Sequence, residues 1–483
     1  MRSLALLSLL LVSSVLIAPK VLAFANGENA SVVIGQPNFS SQEKISPLIN
    51  QSRFSDPTDV KFDSSGNLWV VDAANSRVLE FKAPFAADES ASLVLGEPNF
   101  STSYLAGGSS VNGTVLSVPE AMAFDSSGNL WVSDTGDGRI VEFQAPFSTG
   151  ENASLVLGAP TLSTFVDTTQ NASQTDLNSP QGIAFDSRGN LWVADAGYYR
   201  VVEFKAPFSN GEAASIVLGQ DNFTARNFPN EPSCPPTCNQ PTAATLDGPN
   251  DVAFDASGNL WVADRNDHRV SEFTSPFSDG QAAALSVGGG CAIFGEVLAA
   301  NCMSVIDNIG FDHSGMLYVS DTGNGRVLGF PAPFTSNENA TFVLGEPDFA
   351  TSPGIVDNAT QSNLLTPEGI AFDSAGNIWV ADDGFNRVLG FPASATGGTS
   401  TTSTSSQGST TTTSTSTTSI QQSTPVQPST STTSVTTTSS PTSSGSVPEF
   451  PFQGVALAAL AALVVASYMA VRRRTVGRPR LVE

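Results

Sequence analysis

The chain has 483 residues, with 21 Lys plus Arg against 45 Asp plus Glu and only two histidines. Setting aside the bases near the two ends (Arg2, Lys20, Arg472, Arg473, Arg474, Arg478 and Arg480) and the tail acids Glu449 and Glu483 leaves 14 bases against 43 acids. So acidic a stretch repels phosphate backbones and excludes nucleic acid as a partner, while two histidines, His268 and His313, cannot build a three-histidine zinc site.

At the N-terminus Arg2 precedes an apolar run over 4–17, and Val21-Leu22-Ala23 offers small residues for cleavage. Residues 1–23 therefore form a secretory signal peptide, cut after Ala23 and excluded from the fold. Next comes a fragment, 30–39 (Ala-Ser-Val-Val-Ile-Gly-Gln-Pro-Asn-Phe), that matches 91–100 but lacks the strands that precede 91–100.

From here one sentence recurs. Gly66-Asn67-Leu68-Trp69-Val70, then Asp72 and Arg77, returns around Trp131, Trp192, Trp261, Tyr318 and Trp379, at spacings of 62, 61, 69, 57 and 61 residues. A fixed period of this length means stacked or radial repeats. In the third copy, 182–185 is an apolar strand, Asp186-Ser187-Arg188-Gly189-Asn190 a tight turn, and 191–194 a second strand. Residues 200–204 and 214–218 follow as third and fourth strands. Four antiparallel strands repeated six times without helical periodicity predict an all-β, six-bladed β-propeller over 29–393. The sixth unit runs out after Phe391-Pro392 with no fourth strand, so 30–39 is expected to complete the last blade and close the ring.

Within each unit an aspartate precedes an arginine by five residues: Asp72 and Arg77, Asp134 and Arg139, Asp195 and Arg200, Asp264 and Arg269, Asp321 and Arg326, Asp382 and Arg387. Six-fold repetition marks these pairs as structural, with the arginine fork satisfying the carboxylate and nearby backbone groups across a turn. The tryptophan position is expected between neighbouring blades. Function should lie where repetition fails. The variable polar positions follow the proline that opens each first strand (Ile306 replaces it in the fifth unit), where the chain enters the central channel. A ring containing Asp59, Glu120, Asn250, Asp251, Asp307, Asn308 and Glu368 is oxygen-rich and suits a hard divalent cation such as calcium. No other cofactor is implied: there is no P-loop, dinucleotide fingerprint or Gly-x-Ser-x-Gly elbow.

Cys234 and Cys238 precede the fourth unit, and Cys291 and Cys302 lie between the fourth and fifth. In an exported chain they should be disulfide-bonded; three pairings are possible, of which Cys234–Cys238 with Cys291–Cys302 is the local one. Asn29, Asn38, Asn50, Asn99, Asn112, Asn152, Asn171, Asn222, Asn339 and Asn358 each open an Asn-x-Ser/Thr sequon outside the first three strands of a unit. Glycans there would coat the outer rim and leave the two flat faces for contact.

Residues 394–446 are almost wholly Ser and Thr, too polar to bury a core, and read as an extended stalk. Residues 447–453 begin Val-Pro-Glu-Phe-Pro, 454–471 are uncharged and long enough to cross a bilayer, and 472–483 form a basic cytoplasmic tail. The protein is thus expected in the cell membrane, single-pass, with its propeller extracellular. The 447–474 region resembles PEF-type sorting signals of archaeal surface proteins, which implies cleavage and lipid anchoring in place of a retained transmembrane helix.

The repeated Phe-Asp, Gly-Asn-Leu-Trp-Val-Ala-Asp and Arg-Val-Leu-Glu-Phe segments resemble the NHL repeat. The resemblance implies a propeller, although these units are longer than usual and lack the basic face of RNA-binding members. The expected function is an extracellular binding, adhesion or sensing scaffold for a protein or glycan ligand, without catalysis. The channel-mouth acids also resemble, in residue type, the metal set of lactonase-like propellers. That implies a second reading, a metal-dependent hydrolase using Asp59, Glu120, Asn250, Asp307 and Glu368.

Overall fold

A computed structural model describes residues 22–43, 49–102, 111–164, 172–226, 241–289, 298–351 and 358–395. The chain divides after Gly397 into two units, and the second, with all but the first residues of the expected stalk and with the sorting motif, membrane span and tail, lies outside the described residues, as does most of the expected leader. No helix among the described residues is long and apolar enough to cross a membrane.

Six four-stranded antiparallel sheets form the blades. Their innermost strands are Pro57–Phe62, Pro119–Phe124, Pro180–Phe185, Pro249–Phe254, Ile306–Phe311 and Pro367–Phe372. In blade 6 the outer strand is Val32–Ile34, paired with Arg387–Phe391 in the register Val33 to Leu389. The N-terminal fragment therefore closes the ring as its sequence implies. Beside this seam a two-residue strand, Leu22–Ala23, pairs with Ser394–Ala395, so the last residues of the expected leader stand next to the chain that leaves blade 6.

The repeated sentence is a hydrogen-bond circuit. In blade 1, Asp63 Oδ1 accepts from the backbone N–H groups of Ser65 and Asn67 at 2.8 and 2.9 Å, and its Oδ2 accepts from Asn67 Nδ2 and from Trp69 Nε1 at 3.2 Å. Asn67 Nδ2 also reaches Glu80 on the third strand. Gly66 completes this turn at φ +81°, a conformation that favours glycine. The same indole-to-aspartate bond forms at Trp131, Trp261 and Trp379, whereas Trp192 Nε1 has no hydrogen-bond partner among the described residues.

Each indole packs under a phenylalanine from the Ala-Pro-Phe or Ser-Pro-Phe segment of the next blade: Phe147 on Trp69, Phe208 on Trp131, Phe277 on Trp192, Phe334 on Trp261 and Phe85 on Trp379, with centroids 4.7–5.0 Å apart. Edge-to-face packing at this distance adds to area burial. Blade 6 has no such segment, so blade 5 would be left uncovered. There Tyr318 replaces tryptophan, and Phe24 from the N-terminus packs edge-on against it at 6.2 Å.

The aspartate–arginine pairs hold the connections between blades. Arg200 Nε donates to Asp195 Oδ2 at 2.7 Å, while Nη1 and Nη2 donate to the backbone carbonyls of Phe223 and Asp176, each at 2.8 Å. Asp195 Oδ1 in turn accepts from Asn178 N–H. All six pairs form, and both partners are buried at five of them.

Candidate functional site at the channel mouth

In each innermost strand the pairing register shifts just after the opening residue, as between Pro57 and Asp59 or Pro180 and Ile183. Such an irregularity re-aims side chains. It turns the next residue toward the axis, and the six blades together form a pocket of about 260 Å³, counting the open space at its mouth. Glu120, Asn250, Asp251, Asp307, Asn308 and Glu368 of the expected ring line it, joined by Thr58, Ala121, Gln181 and Gly182. Asp59 is fully buried beside it.

In blades 1, 4 and 5 the second residue after the opening position is a strut between blades. Asp59 Oδ2 accepts from the N–H of Met122 in blade 2 at 2.9 Å. Asp251 Oδ2 accepts from Ile309 in blade 5 at 3.0 Å, and Asn308 Oδ1 from Ile370 in blade 6 at 3.0 Å. The equivalent residue is glycine in blades 3 and 6, because a Cβ on Gly182 would strike the Asp251 carboxylate and one on Gly369 the backbone of Asp59. These acids and glycines therefore fit each other around the ring.

Two cations also stand against the ring acids, which the acidic count conceals. Lys61 Nζ lies 2.5 Å from Asp59 Oδ1. Arg265 Nη1 lies 2.6 Å from Asp307 Oδ1 and donates to Asn250 Oδ1 at 3.2 Å. The contact with Asp307 is close but misaligned, so neither Asp307 carboxylate oxygen accepts a hydrogen bond among the described residues. Asn250 Nδ2 is spent on the carbonyl of Asp307 at 2.8 Å. Burial pushes the Asp251 carboxyl up to about 7, with Lys61 and the Ile309 N–H pulling it back. Burial raises Asp59 as well, against the attraction of Lys61.

A tighter acidic group stands where blade 6 meets blade 1. Carboxylate oxygens of Asp56, Glu368 and Asp383 all lie within 4.8 Å of one another. Of these only Glu368 belongs to the ring expected from sequence. Asp383 was legible by alignment of the repeats: it follows the closing aspartate of the second strand, where the other units carry Ala73, Thr135, Ala196, Arg265 and Thr322.

The remaining candidates sit apart. His268 Nδ1 accepts from Val305 N–H at 3.1 Å, and His313 is an exposed turn residue, so the two do not meet. Cys302 is disulfide-bonded; Cys234, Cys238 and Cys291 lie outside the described residues. Seven sequon asparagines (Asn29, Asn38, Asn99, Asn152, Asn222, Asn339 and Asn358) are exposed, Asn50 and Asn112 are half-buried, and Asn171 is outside the described residues.

Six four-stranded blades around a narrow polar channel, closed by an N-terminal strand, define a β-propeller. Residues 54–81, 177–204 and 246–273, in blades 1, 3 and 4, match the model of the NHL repeat. Blades 1, 3 and 4 of this propeller thus carry NHL repeats. The chain is 23% identical to human Teneurin-1 over 350 residues, covering 65% of this chain and only 12% of that protein. Among solved structures, it is similar to an auxiliary nutrient binding protein from Bacteroides ovatus, with a TM-score of 0.47 and 13% identity, covering 76% of this chain and 77% of that one. A gluconolactonase from Xanthomonas campestris is similar with a TM-score of 0.41 and 16% identity, covering 77% of this chain and 100% of that one.

Proposed function

We propose that this propeller is an extracellular binding, adhesion or sensing module for a protein or glycan, held at the cell surface on its Ser/Thr-rich stalk, and that it is not an enzyme. The observation that carries this reading is the state of the channel. A lactonase-type hydrolase would need Asp59, Glu120, Asn250, Asp307 and Glu368 free together to hold a catalytic metal and polarise a substrate, yet three of the five are engaged: Asp59 bridges Met122 and Lys61, Asn250 bridges Asp307 and Arg265, and Asp307 is neutralised by Arg265. Side chains already committed to struts and ion pairs serve rigidity. A rigid disc with sequons at its rim then offers its flat faces and interblade loops as the contact surface.

Probing the purified chain against arrays of cell-envelope proteins and glycans tests the proposal, with saturable binding to one class expected. A parallel assay of lactone and ester hydrolysis in calcium should give no turnover above buffer. Metal-dependent turnover abolished by Glu120→Ala would establish the hydrolase instead.

A further inference from the structure

Pseudo-six-fold symmetry puts one residue of each blade, the one after the closing aspartate of the second strand, against the start of the next blade. At three junctions this residue bridges the gap with a donor. Thr135 Oγ1 donates to the carbonyl of Pro180 and Thr322 Oγ1 to that of Pro367, each at 2.5 Å, and Arg265 meets the Asp307 carboxylate. Between blades 6 and 1 the equivalent is Asp383, which when ionised can only accept. Its Oδ2 accepts from Thr366 Oγ1 at 3.3 Å, and it also faces two further carboxylates, since Asp56 and Glu368 complete the group whose oxygens fall within 4.8 Å of one another.

A second observation points to a missing partner at the same place. Thr58 is 4% exposed and its hydroxyl has no hydrogen-bond partner among the described residues; the same is true of the buried Asp56 Oδ1. Thr58 is the blade-1 counterpart of Asp307, as Glu368 is of Asn250, and both line the one pocket. The two junctions thus share a layout, with one difference: blade 4 supplies a guanidinium at its centre and blade 6 supplies a third carboxylate. Oxygens around one calcium ion at 2.3–2.6 Å stand up to about 5 Å apart, the span seen here, and like charges so close are relieved by a proton or by a shared cation.

We propose that Asp56, Glu368 and Asp383, with the Thr58 hydroxyl, bind one hard divalent cation of the calcium class that clasps blade 6 to blade 1. The ion does at this junction what Arg265 does between blades 4 and 5. It fastens the ring at the seam where the two ends of the repeat array meet, and it is a structural site whose existence does not depend on the binding role proposed above.

The test uses the purified full chain, stripped with chelator and titrated with calcium chloride and, separately, magnesium chloride by calorimetry and thermal unfolding. One calcium per chain is expected, with a rise of several degrees in melting temperature. Asp383→Asn and Asp56→Asn should each weaken calcium binding at least tenfold. Asp383→Arg copies the blade 4 solution. It should bind no calcium, yet melt in chelator within a few degrees of the calcium-loaded wild type, which keeps the test decisive if the asparagine variants fail to fold. Absence of both calorimetric heat and thermal shift in the wild type would overturn the proposal, as would wild-type calcium affinity in Asp383→Arg.

Discussion

Arg200 shows how much a single repeated residue holds. Its three nitrogens satisfy one carboxylate and two carbonyls from separate loops, a fork that lysine's single ammonium cannot reproduce. Arg200→Lys should therefore destabilise the protein by about 3 kcal/mol, since it leaves buried acceptors unpaired; urea unfolding followed by tryptophan fluorescence measures it. Asp251 gives a prediction in pH. Its native carboxyl titrates near 7, against about 3.9 unfolded, so between those values only the native state holds the proton. Stability from this group is complete below about pH 4 and is lost as pH rises toward 7, by at most about 1.4 kcal/mol per unit. Asp251→Asn keeps an acceptor for Ile309 N–H without the charge, so its melting temperature relative to wild type should climb from pH 5 to pH 8; a constant difference would refute the assignment. Repetition made the role of Arg200 legible in the sequence. The strut role of Asp251 was not, because its partners are the backbone of another blade and a glycine, Gly182, whose significance appears only when the two strands are brought together.

Strands and turns were legible because each has a local cause: the Asp63-to-Trp69 circuit fixes a hairpin from within seven residues, and it recurs. Contacts made once have no such signature. Tyr318 marks an irregular unit in the sequence, but that Phe24 covers it follows only from the ring, since blade 6 lacks the phenylalanine segment and the N-terminus lies at the seam. Phe24 packs against both Tyr318 and Phe342. Phe24→Ala should cost about 1–2 kcal/mol, less than the truncation of a fully buried core phenylalanine, because the ring is only partly buried. The check is the Tm difference together with faster hydrogen exchange in Phe342–Leu344. Exchange raised equally in all blades would mean that Phe24 acts on global stability alone. The channel mouth divides in the same way. The seven ring residues, among them Glu120 and Glu368, were recognisable from their variability after the opening residue of each first strand, whereas Lys61 and Arg265, which neutralise Asp59 and Asp307, sit at positions that read as ordinary strand and turn.

At the scale of the whole molecule, the fold depends on closure. Blades 1 to 5 each carry an outer strand from their own unit, but blade 6 borrows Val32–Ile34 from the other end of the array. Without it, Arg387–Phe391 becomes an edge strand with a free row of backbone donors and acceptors, next to Val388, Leu389 and Phe391, which are fully buried in the closed ring. An exposed apolar edge of that kind pairs with whatever strand it meets. Deleting residues 24–43 while keeping the leader should therefore do more than lower stability. It should shift the protein to larger species than the intact chain forms, detected by analytical ultracentrifugation, and adding a peptide spanning 24–43 should reverse the shift by supplying the strand. The strong negative charge of the propeller works against self-association at low ionic strength and is screened as salt rises. Aggregation of the deletion variant should accordingly increase with sodium chloride, while the sedimentation of the closed wild type stays unchanged over the same range. A deletion variant that sediments like the wild type at every salt concentration would show that the ring holds without its borrowed strand.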